Sequence, residues 1–240
     1  EPCEEIHFCE KVIYIPPYYV VNNQPQKILS KTIRKDLDLP DDSFVFCSFN
    51  KPNKIEPVMF ECWMNILKET PESVLWLIND NPLATINLKK AAASYGIASE
   101  RLVFAKKIPR DQHILRHHAA NLVLDTRIYN GGATSWEALS VGLPVLTLRG
   151  KNVPSRASAS MLTSLGMEEL ITHDLKTYRS LALELATNQE KLENIRNKLL
   201  RHSKTSALFN PELSVNNIEK AYQSVWKNFA NGIEPHSTYI

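Results

Sequence analysis

Two lysines stand where they could bind a phosphate group. Lys51 and Lys54 follow the apolar run 44–49 and precede a helix that starts near Pro57. Ammonium groups beside the free N–H groups of a helix N-terminus form a favourable site for a phosphate or a diphosphate. Lysines in a surface loop are about as often simply solvated, so these two residues alone leave both interpretations open.

A glycine pair provides a second candidate anion site. It follows the apolar run 122–125 and precedes a helix whose first N–H groups point to the same edge of the predicted sheet. Glycines permit a tight turn with positive φ, hydroxyl side chains add donors, and a carboxylate one turn further could accept hydrogen bonds from ribose. A glycine pair before a helix is by itself a weak signal. The residues of this candidate site are Gly131, Gly132, Ala133, Thr134 and Glu137.

Three basic residues recur on the helix predicted at 110–119. Arg110, His113 and Arg116 are spaced so that they share one helix face, and the planar side chains of Arg and His can stack on or hydrogen-bond to a nucleobase. For this segment alone, a solvated basic face is the simpler interpretation. Three basic or glycine-rich loops at one sheet edge together indicate a site for a nucleoside diphosphate.

Several other kinds of site are disfavoured. No GxGxxG follows the first predicted strand, which disfavours a dehydrogenase. The sequence also lacks the motif GxxxxGK[ST], which disfavours a P-loop NTPase. The four cysteines form no CxxC pair, and the spacing of Cys3, His7 and Cys9 is not that of a usual zinc site. We therefore expect no metal and no cofactor, and reduced thiols as in a cytoplasmic protein.

The hydrophobic pattern predicts an α/β fold. From residue 44 onward, short apolar runs alternate with stretches of helical period, which is typical of a doubly wound parallel sheet with ligands at the carboxyl ends of its strands. We predict strands at 44–49, 74–78, 102–104, 122–125, 145–148 and 170–172. We predict helices at 56–70, 88–95, 110–119, 134–141, 156–165, 175–187, 189–203 and 213–228.

Composition and charge fit a globular protein that attracts neither nucleic acid nor an acidic membrane through its overall charge. Lys and Arg number 28 against 26 Asp and Glu, a net charge of +2, which gives no overall field to attract nucleic acid or an acidic membrane. No apolar run is long enough to span a bilayer, and the polar first residues are unlike a signal peptide. These features predict a cytoplasmic protein with no membrane and no nucleic acid as partner.

The chain divides into three predicted parts. Residues 31–174 form the Rossmann-like nucleotide-binding domain, and residues 175–240 form a helical carboxyl-terminal extension. Residues 1–30 precede the domain, with a linker-like stretch at 22–30. The chain starts at Glu1 without an initiator Met, which suggests a piece of a longer protein.

The motifs together resemble a known enzyme family. The segments FCSFNKPNKIEP, ERLVFAKKIPRDQHILRHHAANLVLDT, YNGGATSWEALSVGLPVLTL and SALFNPELSVNNIEKAYQSVW are similar to the C-terminal catalytic lobe of the O-linked N-acetylglucosamine transferases. That family includes SPINDLY-type proteins and bacterial relatives with tetratricopeptide repeats. The resemblance extends over about residues 10–230, in order and in spacing.

The resemblance implies a GT-B glycosyltransferase fold and an inverting, metal-independent transfer from UDP-N-acetylglucosamine to Ser or Thr of a protein. It implies that Lys54 binds the donor diphosphate and stabilises the departing UDP, which makes it the catalytic residue. Lys51 would lie beside the diphosphate, and Ile108 would contact the base through its backbone. Arg110, His113 and Arg116 would surround the ribose and uracil, Gly131, Gly132, Ala133 and Thr134 would form the phosphate site, and Glu137 would bind ribose.

Four positions depart from the animal enzymes of the family, so the base and the sugar stay open. This chain has Lys51 where those enzymes have Gln, and Arg110 where they have Lys. It has Gly132-Ala133 where they have His-Thr, and Glu137 where they have Asp. A SPINDLY-like transfer of fucose from GDP-fucose and an asparagine glucosylation are alternatives within the fold. A non-catalytic nucleotide-binding or assembly module is an alternative of another class, which the retained Lys54 disfavours.

The resemblance also implies partners outside this sequence. In the family, an N-terminal lobe supplies the proposed base and most of the acceptor groove, and upstream helical repeats select protein substrates. Residues 1–21 resemble the last strand of that lobe, and the helix predicted at 213–228 would return toward it. We therefore expect the chain to bind nucleotide but not to transfer sugar by itself.

Overall fold

The computed structural model describes residues 8–16 and 34–240. Cys3, His7, the linker predicted at 22–30 and most of the segment 1–21 lie outside the described residues. Cys9 is exposed, whereas Cys47 and Cys62 are buried free thiols, as their apolar surroundings in the sequence predict.

The described residues contain strands and helices near every position predicted from residue 44 onward. The strands are β1 (Ile13–Tyr14), β2 (Phe44–Ser48), β3 (Ser73–Ile78), β4 (Leu102–Ala105), β5 (Leu122–Leu124), β6 (Val145–Leu148), β7 (Ile171–Thr172) and β8 (Thr238–Tyr239). The helices are α1 (Pro57–Glu69), α2 (Pro82–Ser94), α3 (Arg110–Arg116), α4 (Ala133–Ser140), α5 (Ala157–Ser164), α6 (Leu175–Thr187), α7 (Gln189–Ser203) and α8 (Pro211–Ala230).

Strands β2 to β7 form a six-stranded sheet in the order β4-β3-β2-β5-β6-β7. Neighbouring strands are parallel, with Val45 opposite Val74 and Phe46 opposite Leu122. The chain runs outward from β2 to β4 and then returns to place β5 on the other side of β2. The point at which the strand order reverses therefore lies between β2 and β5, where ligands bind in doubly wound folds. The predicted fold class is confirmed.

The core consists of this sheet and the helices on its two faces. Side chains of β2, β3 and β6 are almost all buried, as expected of strands covered on both sides. Trp63 of α1, Trp76 of β3 and Trp136 of α4 are each at most 1% exposed. Helices that bury such large side chains against the sheet hold the loops at the strand ends in fixed positions.

Helix α2 begins earlier than the sequence pattern indicates. The prediction was 88–95, but the Asn81 side chain accepts a hydrogen bond from the backbone N–H of Leu83, and Pro82 occupies the first turn. Leu83 and Ile86 are exposed. Periodicity missed this turn because the apolar residues of its first part do not face the core, so the capping residues were the only signal.

The described residues divide into two compact units. Residues 34–204 form the larger unit, and residues 8–16 with 205–240 form the smaller one. In the smaller unit, β1 and β8 form a parallel pair, and the rings of Tyr14 and Tyr239 stack with centroids 4.5 Å apart. This division differs from the predicted boundary at 174, because α6 packs against α1 and β6 and so lies with the sheet.

None of the helices in the described part of the chain is long and apolar enough to cross a bilayer.

Arg101 fixes the connection between α1 and β3. Its Nε donates to the carbonyl oxygen of Ser73 at 2.8 Å, and its Nη2 donates to those of Leu67 and Thr70 at 2.8 and 2.7 Å. We expect Arg101→Ala to lower the free energy of unfolding by about 2 kcal/mol, because hydrogen bonds from a charged donor are lost. Urea denaturation measures this change.

The matched control is Arg201→Ala at an exposed position of α7, which should change the free energy of unfolding by less than about 0.5 kcal/mol. Equal losses in the two variants would contradict a specific role for the Arg101 hydrogen bonds.

Candidate functional site

An open cleft of about 490 Å³ lies at the carboxyl edge of the sheet. It is formed by the segments that follow β2, β3 and β4, by α3 and by the start of α4. Three predicted site residues, Arg110, Gly131 and Glu137, do not line it directly. Eight predicted site residues do: Lys51, Lys54, Ile108, His113, Arg116, Gly132, Ala133 and Thr134. The binding roles assigned to all of them stay predictions.

Lys54 lines the cleft with its ammonium group half-buried. It ends a short 3₁₀ turn, Pro52–Lys54, between β2 and α1. Its Nζ donates to Asn50 Oδ1 at 3.3 Å and to the carbonyl oxygen of Asn130 at 3.0 Å, and lies 4.1 Å from the centroid of the Tyr129 ring. An ammonium group has three protons to donate, so one remains for a ligand beyond these two acceptors.

Burial lowers the pKa of Lys54, and the neighbouring charge of Lys51 lowers it further, while the carboxylate of Asp125 acts in the opposite direction. The dominant cause is desolvation, which disfavours the charged form of a half-buried ammonium. An anion bound in the cleft would supply the missing counter-charge.

The turn after β5 differs from the expectation in its backbone. Positive φ was predicted for the glycine pair, but Gly132 has φ −92°, and neither glycine is among the described residues with positive φ. Gly131 is needed for space instead. A Cβ there would lie 2.2 Å from Ser135 Oγ and 2.8 Å from Thr134 Oγ1, so a side chain at 131 would displace these two hydroxyls or the turn itself.

The N-terminus of α4 faces the cleft. Gly132 precedes the helix and has no side chain, so the helix lacks a side-chain cap. Ala133 and Thr134 line the cleft in its first turn. The first N–H groups of a helix have no partner within the helix and carry partial positive charge. Together with Lys54, they make this part of the cleft suited to an anion.

Asp125 holds the turn from below. Its carboxylate is fully buried, and Oδ1 accepts hydrogen bonds from the backbone N–H groups of Thr126 and Gly131 at 2.9 and 2.7 Å. Oδ2 accepts from Thr147 Oγ1 of β6 at 2.8 Å. Burial raises the pKa of Asp125, and these donors oppose that shift. The carboxylate thus fixes the turn that leads into the start of α4.

Arg116 fixes His113. Only 2% of Arg116 is exposed, and its guanidinium lies 4.6 Å from the centroid of the Phe49 ring. Its Nη1 donates to the carbonyl oxygen of Lys106 at 2.7 Å, and its Nη2 contacts His113 Nδ1. A guanidinium only donates, so Nδ1 accepts and the proton of the neutral imidazole is on Nε2. Burial and the adjacent Arg116 lower the pKa of His113 to about 4, so the ring is neutral at physiological pH.

Glu137 lies beside Nε2 of His113, the ring nitrogen that Arg116 does not contact. Its carboxylate accepts a hydrogen bond from Arg110 Nε at 3.1 Å and lies 3.6 Å from His113 Nε2. Burial raises its pKa, while the hydrogen bond and charge of Arg110 lower it. Arg110 itself is largely exposed. The structure thus brings Arg110, His113 and Glu137 together as one polar group at the end of the cleft.

Asp80 is the acidic residue among those that line the cleft. Asp80 forms an ion pair with Lys107, whose hydrogen bond lowers the pKa of that carboxyl. The pair neutralises Asp80, so its charge does not oppose an anionic ligand. Within the described residues, no group of three or more His, Cys, Asp or Glu side chains is placed to hold a metal ion.

The prediction missed three residues of the site. Asn50 lies two residues after the end of β2 and is 3% exposed, Asp125 directly follows β5, and Tyr129 covers Lys54. The rule that the residues after neighbouring parallel strands meet at one edge was applied to charged and glycine residues of the loops. Applied also to the residues within two positions of the ends of β2 and β5, it would have found Asn50 and Asp125.

Comparison with known proteins gives consistent matches. The profile of glycosyl transferase family 41 matches residues 18–218. The chain is 31% identical over 242 residues to the probable UDP-N-acetylglucosamine–peptide N-acetylglucosaminyltransferase SEC of Arabidopsis thaliana. The aligned region covers 98% of this chain and 25% of that relative. It is 32% identical over 202 residues to the UDP-N-acetylglucosamine–peptide N-acetylglucosaminyltransferase of Caenorhabditis elegans, covering 84% of this chain and 18% of that one. The chain thus spans a quarter or less of these curated relatives.

Solved structures agree with these matches. A mutant O-GlcNAc transferase of Thermobaculum terrenum is 29% identical and superposes with a TM-score of 0.76. The superposed region covers 89% of this chain and 41% of the T. terrenum chain. A UDP-GlcNAc 2-epimerase of Neisseria meningitidis, 14% identical with a TM-score of 0.51, covers 76% of this chain and 46% of its own and shares the fold alone. The similarity to the T. terrenum enzyme supports the fold of a GT-B lobe, and the profile match covers most of the chain. The chain therefore belongs to glycosyltransferase family 41.

Proposed function

We propose that this chain is the donor-binding lobe of an inverting protein glycosyltransferase. The donor is UDP-N-acetylglucosamine, and the acceptor is the hydroxyl group of Ser or Thr in a protein. The observation on which this depends is the position of Lys54, whose Nζ lies 3.0 Å from the carbonyl oxygen of Asn130, beside the uncapped start of α4. The names of the curated relatives support the donor and the class of acceptor.

In the proposed reaction, the acceptor oxygen forms a bond to the anomeric carbon while the bond from that carbon to the diphosphate breaks. The electron pair of the broken bond stays on the departing UDP, and the acceptor proton passes to a base outside this chain. Negative charge on the diphosphate grows in the transition state. The ammonium of Lys54 and the first N–H groups of α4 stabilise that charge in place. Lys51 adds a second positive charge at the cleft edge.

The nucleoside would lie along α3. Neutral His113 offers its face and its Nε2–H, Ile108 offers its backbone at the cleft wall, and the carboxylate of Glu137 can accept hydrogen bonds from ribose hydroxyls. Arg110, at the exposed end of the group, can approach the base or the ribose. No metal is required in this proposal, because lysine and helix N–H groups supply the positive charge at the diphosphate.

We propose that a further lobe completes the active site. The relatives are at least four times longer than the matched region, and α8 presents Tyr222, Trp226 and Phe229, which are 69–72% exposed, on successive turns. Aromatic side chains this exposed are unusual on a monomer surface and fit a covered interface. The N-terminal lobe of the family is the proposed occupant, with the acceptor protein and upstream repeats beyond it. A cytoplasmic location stays a prediction.

Nucleotide binding tests the donor site. In calorimetric titrations, we expect the chain to bind UDP more tightly than GDP, and Lys54→Ala to weaken UDP binding about tenfold or more, because a charge-assisted contact to phosphate is lost. Lys89→Ala, on α2 away from the cleft, is the matched control and should leave UDP affinity unchanged.

Preference for GDP would keep the family and move the donor toward GDP-fucose. Binding of UDP that is equally strong in Lys54→Ala would remove Lys54 from the diphosphate site. Failure to bind either nucleotide would contradict an autonomous donor-binding lobe.

The pH dependence of donor binding follows from the two shifted pKa values. His113, with a pKa of about 4, stays neutral from about pH 5.5 to about pH 8, so its titration should not change donor affinity over that interval. Lys54 has a lowered pKa and loses its charge as the pH rises through that value, so affinity should fall on the alkaline side.

Lys54→Arg isolates the contribution of Lys54, since a guanidinium stays charged at alkaline pH. The alkaline fall in UDP-N-acetylglucosamine affinity should be smaller in that variant than in the natural chain. A fall of equal size in both proteins would assign it to the uracil and not to Lys54.

The need for a second lobe is tested by activity. The chain incubated with UDP-N-acetylglucosamine and an acceptor peptide should give no glycosylated peptide, whereas the protein that also contains the upstream lobe should glycosylate it. Glycosylated peptide from the chain alone, detected by mass spectrometry, would contradict the proposed division of roles.

A further inference from the structure

The side chain of Asn50 joins three parts of the cleft. Its Nδ2 donates to Asp125 Oδ1 at 3.4 Å, and its Oδ1 accepts from Lys54 Nζ at 3.3 Å and from Thr134 Oγ1 at 3.1 Å. Asn50 is only 3% exposed. It therefore links the end of β5, the lysine turn and the first turn of α4 across the point at which the strand order reverses.

The chemistry of Asp125 determines which way the amide of Asn50 points. A carboxylate offers only acceptors, and the two backbone N–H groups and the Thr147 hydroxyl that donate to this one favour its ionised form. The amide NH₂ of Asn50 must then face Asp125, because the reverse orientation would place two oxygens against each other. The amide oxygen is left facing Lys54 and Thr134, both of which donate.

The buried carboxylate thus acts on Lys54 through a neutral group. A carboxylate in the place of Asn50 would pair strongly with Lys54 and compete with a phosphate for its protons. An amide oxygen accepts a hydrogen bond from Lys54 without carrying a full negative charge, so it directs the ammonium and leaves its charge available to an anion.

We propose that Asn50, oriented by Asp125, is the positioning residue that holds Lys54 and the start of α4 in the geometry for a diphosphate. This inference rests on the proposed function and adds to it a residue outside the set predicted to bind donor. Asn50 acts through Lys54 and Thr134 and need not touch the ligand.

A double-mutant cycle on the chain tests the coupling with UDP and UMP as probes. The ratio of the UMP to the UDP dissociation constant measures what the second phosphate contributes. We expect Asn50→Ala to lower that ratio about as far as Lys54→Ala does, and the double variant to lower it no further than Lys54→Ala within about twofold. Asn79→Ala, the same residue type just after β3, is the matched control and should leave the ratio unchanged.

A second measurement needs no nucleotide. NMR titration of labelled lysine side chains gives the pKa of Lys54, identified by the signal missing from Lys54→Arg. Loss of the Asn50 oxygen removes an acceptor from the charged ammonium, so the Lys54 pKa should fall in Asn50→Ala and stay constant in Asn79→Ala. Asp125→Asn should also lower it, both because the Asn50 amide is free to turn over and because the charge of Asp125, which raises the Lys54 pKa, is lost; Asn50→Ala is therefore the variant that isolates the amide.

The outcomes separate this inference from the proposed function. An unchanged Lys54 pKa in Asn50→Ala, or effects of Asn50→Ala and Lys54→Ala that simply add, would overturn the role of Asn50 whatever nucleotide binds. A lowered Lys54 pKa in a chain that binds no nucleotide would keep the positioning role and contradict the donor site.

Thermal unfolding checks each variant for folding. If Asn50→Ala does not fold, Asn50→Ser takes its place, because the shorter hydroxyl can remain near Asp125 but does not reach Lys54. If neither variant folds, Asn50 serves the stability of the sheet edge, and the inference is overturned.

Discussion

The buried carboxylate of Asp125 is the constraint on which the site depends. An ionised group enclosed in protein is costly unless donors surround it, and here the donors come from three places in the sequence: the turn after β5, strand β6, and Asn50 two residues after β2. Each donor is held in position because losing its hydrogen bond to the buried carboxylate would be costly. The same hydrogen bonds therefore stabilise the edge of the sheet and determine the geometry of the cleft.

The positive groups around the cleft are held by packing before any ligand arrives. Arg116 lies against Phe49 and keeps one tautomer of His113, and Lys54 is held by two acceptors and a ring. The lowered pKa of Lys54 records the cost of keeping an ammonium half-buried without a full counter-charge. Such a site gains most from a ligand whose negative charge increases during the reaction, which is the condition for selective stabilisation of a transition state.

The fold was predictable because it depends on periodic features. Continuous apolar runs mark strands buried on both faces, and the rule that loops after parallel strands converge placed Lys54, His113 and Gly132 at one cleft. What could not be predicted depends on contacts between distant residues. The requirement for glycine at 131 comes from Ser135 and not from φ, and the burial of Arg116 comes from Phe49. The early start of α2 depends on a cap rather than on periodicity.

The pairing of β1 with β8 has a consequence for how the protein is made. The strands of the large sheet have all been synthesised once residue 172 has been added, so that sheet can fold as soon as they leave the ribosome, while the chain is still growing. Thr238 donates to the carbonyl oxygen of Val12, and Ile240 donates to that of Tyr14, so the smaller unit must wait for the last residues of the chain. Until residues 238–240 have been synthesised, the segment at β1 lacks its partner strand, and any sequence attached before it is free to fold first.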